Sequence, residues 1–130
     1  MYINEEIARI RKLLATGKAN DEIDTNLPKA PTIDLIVNGE LHVDRVPDTG
    51  LEVGVDYDTM QVGQNIDVYL FGNRPGPGDH NVCFTVQEVK PHTVLFPKAY
   101  VEQLYKDELG LCVYFIDGAQ TSSWTTFTVK

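Results

Sequence analysis

Asn65-Ile-Asp-Val-Tyr-Leu-Phe71 runs into Gly72-Asn-Arg-Pro-Gly-Pro-Gly78 and re-emerges as Val82-Cys-Phe-Thr-Val-Gln-Glu-Val89. The first and last segments carry β-branched and aromatic residues at strand density. The middle segment packs three glycines and two prolines into seven residues. Proline removes the N–H that a ladder needs, and glycine leaves the backbone loose, so the chain must turn there. Two strands joined by such a loop form a long hairpin, and hairpins are antiparallel.

The same two-residue period extends outward from this hairpin. Upstream, Leu51-Glu-Val-Gly-Val55 alternates apolar with small or polar residues, and Thr32-Ile-Asp-Leu-Ile-Val37 ends at Asn38-Gly39, the strongest short hairpin signal. Downstream come Thr93–Phe96, stopped by Pro97, and a helical turn or two within 98–108. Leu111-Cys-Val-Tyr-Phe-Ile116, the turn Asp117-Gly118 and Trp124–Val129 complete the chain. About seven short strands with turn signals every 8–15 residues or so predict an all-β antiparallel sandwich. A small barrel is the competing closure. Residues 1–17 follow a different period. Ile3, Ile7, Ile10 and Leu14 form one apolar stripe, as on a helix that buries one face. Gly17 suits the C′ position. Residues 18–31, with Asn20, Asp21, Pro28 and Pro31, read as a linker, and 32–130 as the sandwich. The helix either docks on this domain or joins copies into a homo-oligomer through residues 3–14.

The chain has 130 residues and a net charge of −8 from 11 Lys and Arg against 19 Asp and Glu. One domain of this size keeps about 7,000 Å² of roughly 21,000 Å² exposed, enough burial for a core without staples. The acidic balance argues against nucleic-acid phosphates and anionic membranes. The 42% hydrophobic content argues against disorder. No apolar run approaches the roughly 18 residues of a membrane span. The acidic opening Asn4-Glu5-Glu6 lacks an apolar h-region, so no Sec signal is expected; the protein is expected to be cytoplasmic or exported by another route. Cys83 and Cys112 lie in apolar runs and are expected as buried free thiols, since free Cys behaves as a small hydrophobe.

Pro31 to Val129 resembles the immunoglobulin-like repeats of large bacterial surface and secreted proteins, the intimin and invasin-like group. The matching pieces are Asn38-Gly39, Leu41-His-Val-Asp-Arg-Val-Pro-Asp48, Tyr57-Asp-Thr-Met-Gln-Val-Gly-Gln-Asn-Ile-Asp-Val-Tyr69, Leu95-Phe-Pro-Lys-Ala-Tyr-Val101 and Gly110-Leu-Cys-Val-Tyr-Phe. The resemblance implies an immunoglobulin-like β-sandwich in a bacterial adhesion or secreted-effector setting. The chain departs from the antibody pattern. Trp124 lies in the last strand, and no Tyr stands two residues before Cys112 to form a tyrosine corner. Both departures argue against a Cys83–Cys112 bridge.

Catalytic constellations are not legible. His42, His80 and His92 sit at turns or strand ends, and Ser122 and Ser123, the only serines, form no G-x-S-x-G elbow. No C-x-x-C or H-x-x-x-H pair suggests zinc. The sequence thus predicts no enzyme and no cofactor. Asp44, Asp48, Asp56 and Asp58 offer oxygen ligands for a calcium ion. Loops on a rigid sandwich carry recognition, which singles out Asn73, Arg74, Asp79 and His80, with Tyr69 leading in. The reading is a non-enzymatic binding module for a protein or glycan partner, without nucleic-acid binding or membrane insertion. The alternatives are a structural module of a phage or secretion particle assembled by the helix, and an acidic inhibitor that mimics nucleic acid.

Overall fold

The computed structural model of the protein describes residues 2–18 and 27–130. In chain order its elements are α1 (Tyr2–Ala15), β1 (Glu40–Leu41), a 3₁₀ turn (Val43–Arg45), β2 (Leu51–Val55), β3 (Asn65–Gly72), β4 (His80–Thr85), β5 (His92–Phe96), α2 (Lys98–Val101), β6 (Leu109–Ile116), β7 (Gln120–Thr121) and β8 (Thr125–Val129). The decisive hairpin forms, with Asn65 opposite Thr85 and Leu70 opposite His80 across β3 and β4. A six-stranded sheet runs β1-β8-β6-β3-β4, with β7 beside β6, and β2 and β5 make a separate two-stranded sheet.

Side-chain alternation on the large sheet builds two cores. Ile66, Val68 and Leu70 of β3 and Cys112, Tyr114 and Ile116 of β6 join Leu51, Val53, Val55, Val94 and Phe96 of the small sheet. Phe71, Leu111, Val113 and Phe115 lie on the opposite face and pack against Ile10 and Leu14 of α1. The large sheet is therefore a middle layer, covered by two strands on one face and by the helix on the other. This explains why Leu111–Ile116 is apolar without interruption, since a strand buried on both faces has no side to leave polar. The exposed surface of 7111 Å² agrees with that of one domain of this length.

The helix ends as its sequence predicts. Gly17 has φ +75°, and Lys18 N–H donates to Leu13 O at 2.8 Å while Gly17 N–H donates to Leu14 O, a Schellman closure. Ile10 and Leu14 are buried, so the stripe is covered within the chain. No helix of the described residues is long and apolar enough to cross a membrane.

Several local expectations change. Asn38-Gly39 does make its turn, with φ +54° and +76°, and Val37 and Glu40 exchange both backbone bonds at 3.0 Å. Yet Thr32–Val37 is not a strand; its backbone pairs with the sheets through single bridges from Thr32 to Gly54 and from Val37 to Glu40, while Ile33, Leu35 and Ile36 pack on the core. Side chains hold the residues just before it, with Tyr114 Oη donating to Lys29 O and Thr125 Oγ1 to Pro31 O, both at 2.5 Å. Ser123 N–H adds a bond to Pro28 O, so residues 28–31 of the expected linker belong to the folded body. Asn20 and Asp21 lie outside the described residues. The strand expected over Val82–Val89 starts at His80 and stops at Thr85, where the regular register gives way to Gly63 and Gln64 both bonding to Val86, two residues against one as in a bulge. The sheet is not wholly antiparallel either, for β1 runs parallel to β8.

The cysteine expectation is half corrected. Cys112 is buried, Cys83 is exposed, and both are free. Cys112 belongs to the core facing the small sheet. The β4 residues packed on that core are Val82 and Phe84, so Cys83 points to the other face. Two thiols on opposite faces of one sheet cannot be bridged.

Candidate functional site

The β3–β4 loop is fixed from three sides. Gly78 lies so close to the segment after β5 that an added Cβ would stand 2.7 Å from Leu104 N and 2.9 Å from Tyr100 O. Both are backbone atoms that cannot rotate away, so only glycine fits. His80, the first residue of β4, stacks its ring on Tyr100 at 3.8 Å and 12°, with Phe96 edge-on at 6.1 Å. From the helix, Arg11 donates to Asp79 Oδ2 and to Gly72 O, each at 3.0 Å. Its guanidinium rests 4.8 Å from the Phe71 ring centre, a cation–π contact that adds to the ion pair. One arginine thus fastens the helix to both ends of the loop.

Between these fixtures lies an open groove of about 220 Å³, lined by Ile7, Arg11, Tyr69, Leu70, Phe71, Asp79, His80 and Asn81. Tyr69 stands edge-to-face on Phe115 at 5.6 Å. Burial, followed by the neighbouring Asp67 and Cys83, pushes its phenol above the ordinary tyrosine range, so Tyr69 stays neutral and able to donate a hydrogen bond. The groove therefore combines an aromatic ring, an imidazole, an exposed amide and a carboxylate–guanidinium pair.

Tyr69, Asp79 and His80, singled out in the sequence, meet here. Asn73 and Arg74 do not. Arg74 forks onto Glu108 with Nε–Oε1 3.0 Å and Nη2–Oε2 2.8 Å, and lies 3.8 Å over the Tyr105 ring. It serves to clamp the loop to the 105–108 segment. Asn73 donates its N–H to Leu109 O, and its buried Oδ1 has no partner among the described residues. Sequence reasoning missed Arg11 and Asn81. Arg11 follows Ile10 directly and borders the apolar stripe, which is the one signal that it would be held near a surface.

Asp44, Asp48, Asp56 and Asp58, expected as oxygen ligands for calcium, sit in a 3₁₀ turn and in loops. Among the described residues no group of three or more His, Cys, Asp or Glu is placed to hold a metal ion. Asp48 pairs with Lys98 Nζ at 3.6 Å, and Asp44 sits in the 3₁₀ turn. Between the exposed Asp56 and Asp58, Tyr57 turns inward and packs 5.7 Å from Tyr114. Asp56 instead borders a second groove of about 240 Å³ with Lys29, Asp34, Glu52 and His92 among its lining.

No family model and no curated protein matches the chain. Among solved structures, two variants of superoxide reductase (neelaredoxin) from Ignicoccus hospitalis are similar. One is 12% identical with a TM-score of 0.41, covering 78% of this chain and 81% of its own. The other is 14% identical with a TM-score of 0.40, covering 89% and 90%. Both are named as superoxide reductases, and the expectation that this chain is not an enzyme is withdrawn. Likeness at this level assigns no activity, metal or residue role to this chain.

Proposed function

We propose that the chain is a binding module of the immunoglobulin-like kind that recognises a protein or glycan through the groove between α1 and the β3–β4 loop. The setting that the sequence resemblance implies is bacterial adhesion or a secreted effector. The observation that carries the reading is the convergence of α1, β3 and the start of β4 on one groove in which Arg11, Asp79 and His80 are already held in place. Groups fixed before binding lose little freedom on binding. A volume of about 220 Å³ is below the range of drug-sized ligand sites. It suits one ring or side chain presented by a larger partner, with Tyr69 as the stacking face.

The test is to screen the full chain on a printed glycan array and against a displayed random-peptide library, then repeat the hits with variants. Binding is expected to fall in Tyr69→Ala and Asn81→Ala and to persist in Arg74→Ala. Absence of any binder, or loss confined to Arg74→Ala, would overturn the assignment.

A further inference from the structure

Strand β4 is the outermost strand of the large sheet, and among the described residues nothing pairs with its far edge. The bonds at the ends of β3 show which backbone groups are bare. Val86 N–H donates to Gln64 O, and Asp117 N–H donates to Asn65 O. Even-numbered residues of β3 therefore face β4, and odd-numbered ones face β6. By the alternation of an antiparallel ladder, His80, Val82 and Phe84 bond to β3, while Asn81, Cys83 and Thr85 turn their N–H and C=O groups outward. All three of these residues are exposed. Exposed edges are ordinarily guarded by proline, lysine, an inward charge or a bulge. His80-Asn-Val-Cys-Phe-Thr85 has no proline and no acid, lysine or arginine, and its register with β3 is unbroken.

We propose that this edge pairs with the same edge of a second copy of the chain, antiparallel about a two-fold axis through Cys83. That register sets Asn81 opposite Thr85 of the second copy and Cys83 opposite itself, so each outward N–H meets an outward C=O. On the inner face it sets Val82 opposite Phe84 of the second copy; both are only partly buried at the bare edge. The nearest acid, Asp79, is held by Arg11 and falls opposite Gln87. Polar residues thus meet polar ones, apolar meet apolar, and no like charges face each other, although the chain carries −8 overall. A foreign strand would have to supply this match, whereas a second copy supplies it by symmetry, as isologous interfaces do. The inference does not rest on the proposed groove function.

The experiment is sedimentation equilibrium of the full chain in reducing buffer, with Cys83→Ser, Cys83→Lys and Cys83→Glu. The parent and Cys83→Ser are expected to dimerise with rising concentration. Like charges brought onto the axis are expected to weaken the Lys and Glu variants by about a hundredfold or more, and a one-to-one mixture of the two restores the dimer. Circular dichroism confirms that the exposed substitutions leave the fold intact. A parent that stays monomeric would overturn the proposal. So would a dimer indifferent to Cys83→Lys, or one lost only on removal of residues 1–17.

Discussion

Ile10→Ala tests the contact that makes the helix part of the domain. Ile10 is fully buried among Phe71, Leu111, Val113 and Phe115. The substitution removes three side-chain carbons, which at about 0.8 kcal/mol per buried methylene amounts to about 2.4 kcal/mol. The cavity left behind raises this to about 3 kcal/mol if the helix stays in place. The loss has a ceiling, because a helix held by less than that amount detaches instead and exposes the sheet face. The chain carries its own reporter, since Trp124 is its single tryptophan and packs against this same cluster. Urea denaturation followed by Trp124 fluorescence and by far-ultraviolet circular dichroism separates the two outcomes. Coincident transitions shifted by about 3 kcal/mol mean that the helix and sheets unfold together. An early fluorescence transition means that the helix leaves first. The control Lys12→Ala, on the exposed side, is expected to change stability by less than about 0.5 kcal/mol. An Ile10→Ala effect no larger than the control would refute the docked helix.

Three further outcomes follow from the packing. Gly78→Ala forces a Cβ against Leu104 N and Tyr100 O; it should cost about 1–3 kcal/mol and remove the upfield ring-current shift of His80 in proton spectra, while an unchanged spectrum would show that the loop has room. Cys83 is exposed, whereas Cys112 is buried and its thiol is pushed far above the ordinary range by desolvation, so a thiol reagent at neutral pH should modify one cysteine per folded chain and both in denaturant. Glu6, hydrogen-bonded by Arg9 and Thr121, has its carboxyl held below the ordinary range, chiefly by the Arg9 bond. Its ionised form supports docking above the ordinary carboxylate range, and that support is lost as pH falls through its folded value. Glu6→Gln should therefore flatten the acid limb of the stability curve between about pH 5 and pH 3, and an unaltered limb would remove Glu6 from the account.

Signals confined to neighbouring residues were legible in the sequence. The Gly-Pro loop between two β-rich runs gave the hairpin, Asn38-Gly39 gave its turn, and Gly17 gave the helix end, because backbone conformation there depends on a few adjacent residues. The continuous apolar run in β6 held a clue that alternation alone would miss, namely a sheet covered on both faces. Long-range pairings were not legible. The two-residue β1 is a strand only because β8 lies beside it in parallel, and Thr32–Val37, with better strand composition, finds no ladder. The candidate site divides in the same way. Tyr69, Asp79 and His80 were found because they flank a conspicuous loop. Arg74, equally conspicuous, is claimed by Glu108, 34 residues away. Arg11 enters from a helix 68 positions from Asp79, and no local pattern predicts that meeting.

Helix α1 docks on its own sheet and so completes the groove. Nuclear Overhauser contacts from the Ile10 and Leu14 methyls to the Phe71 and Phe115 rings test it most directly. They are recorded once on uniformly labelled chain and once on mixed labelled and unlabelled copies with an intermolecular filter. Strong contacts are expected in the first sample and none through the filter in the second. Contacts missing from the first, or surviving the filter in the second, would contradict it.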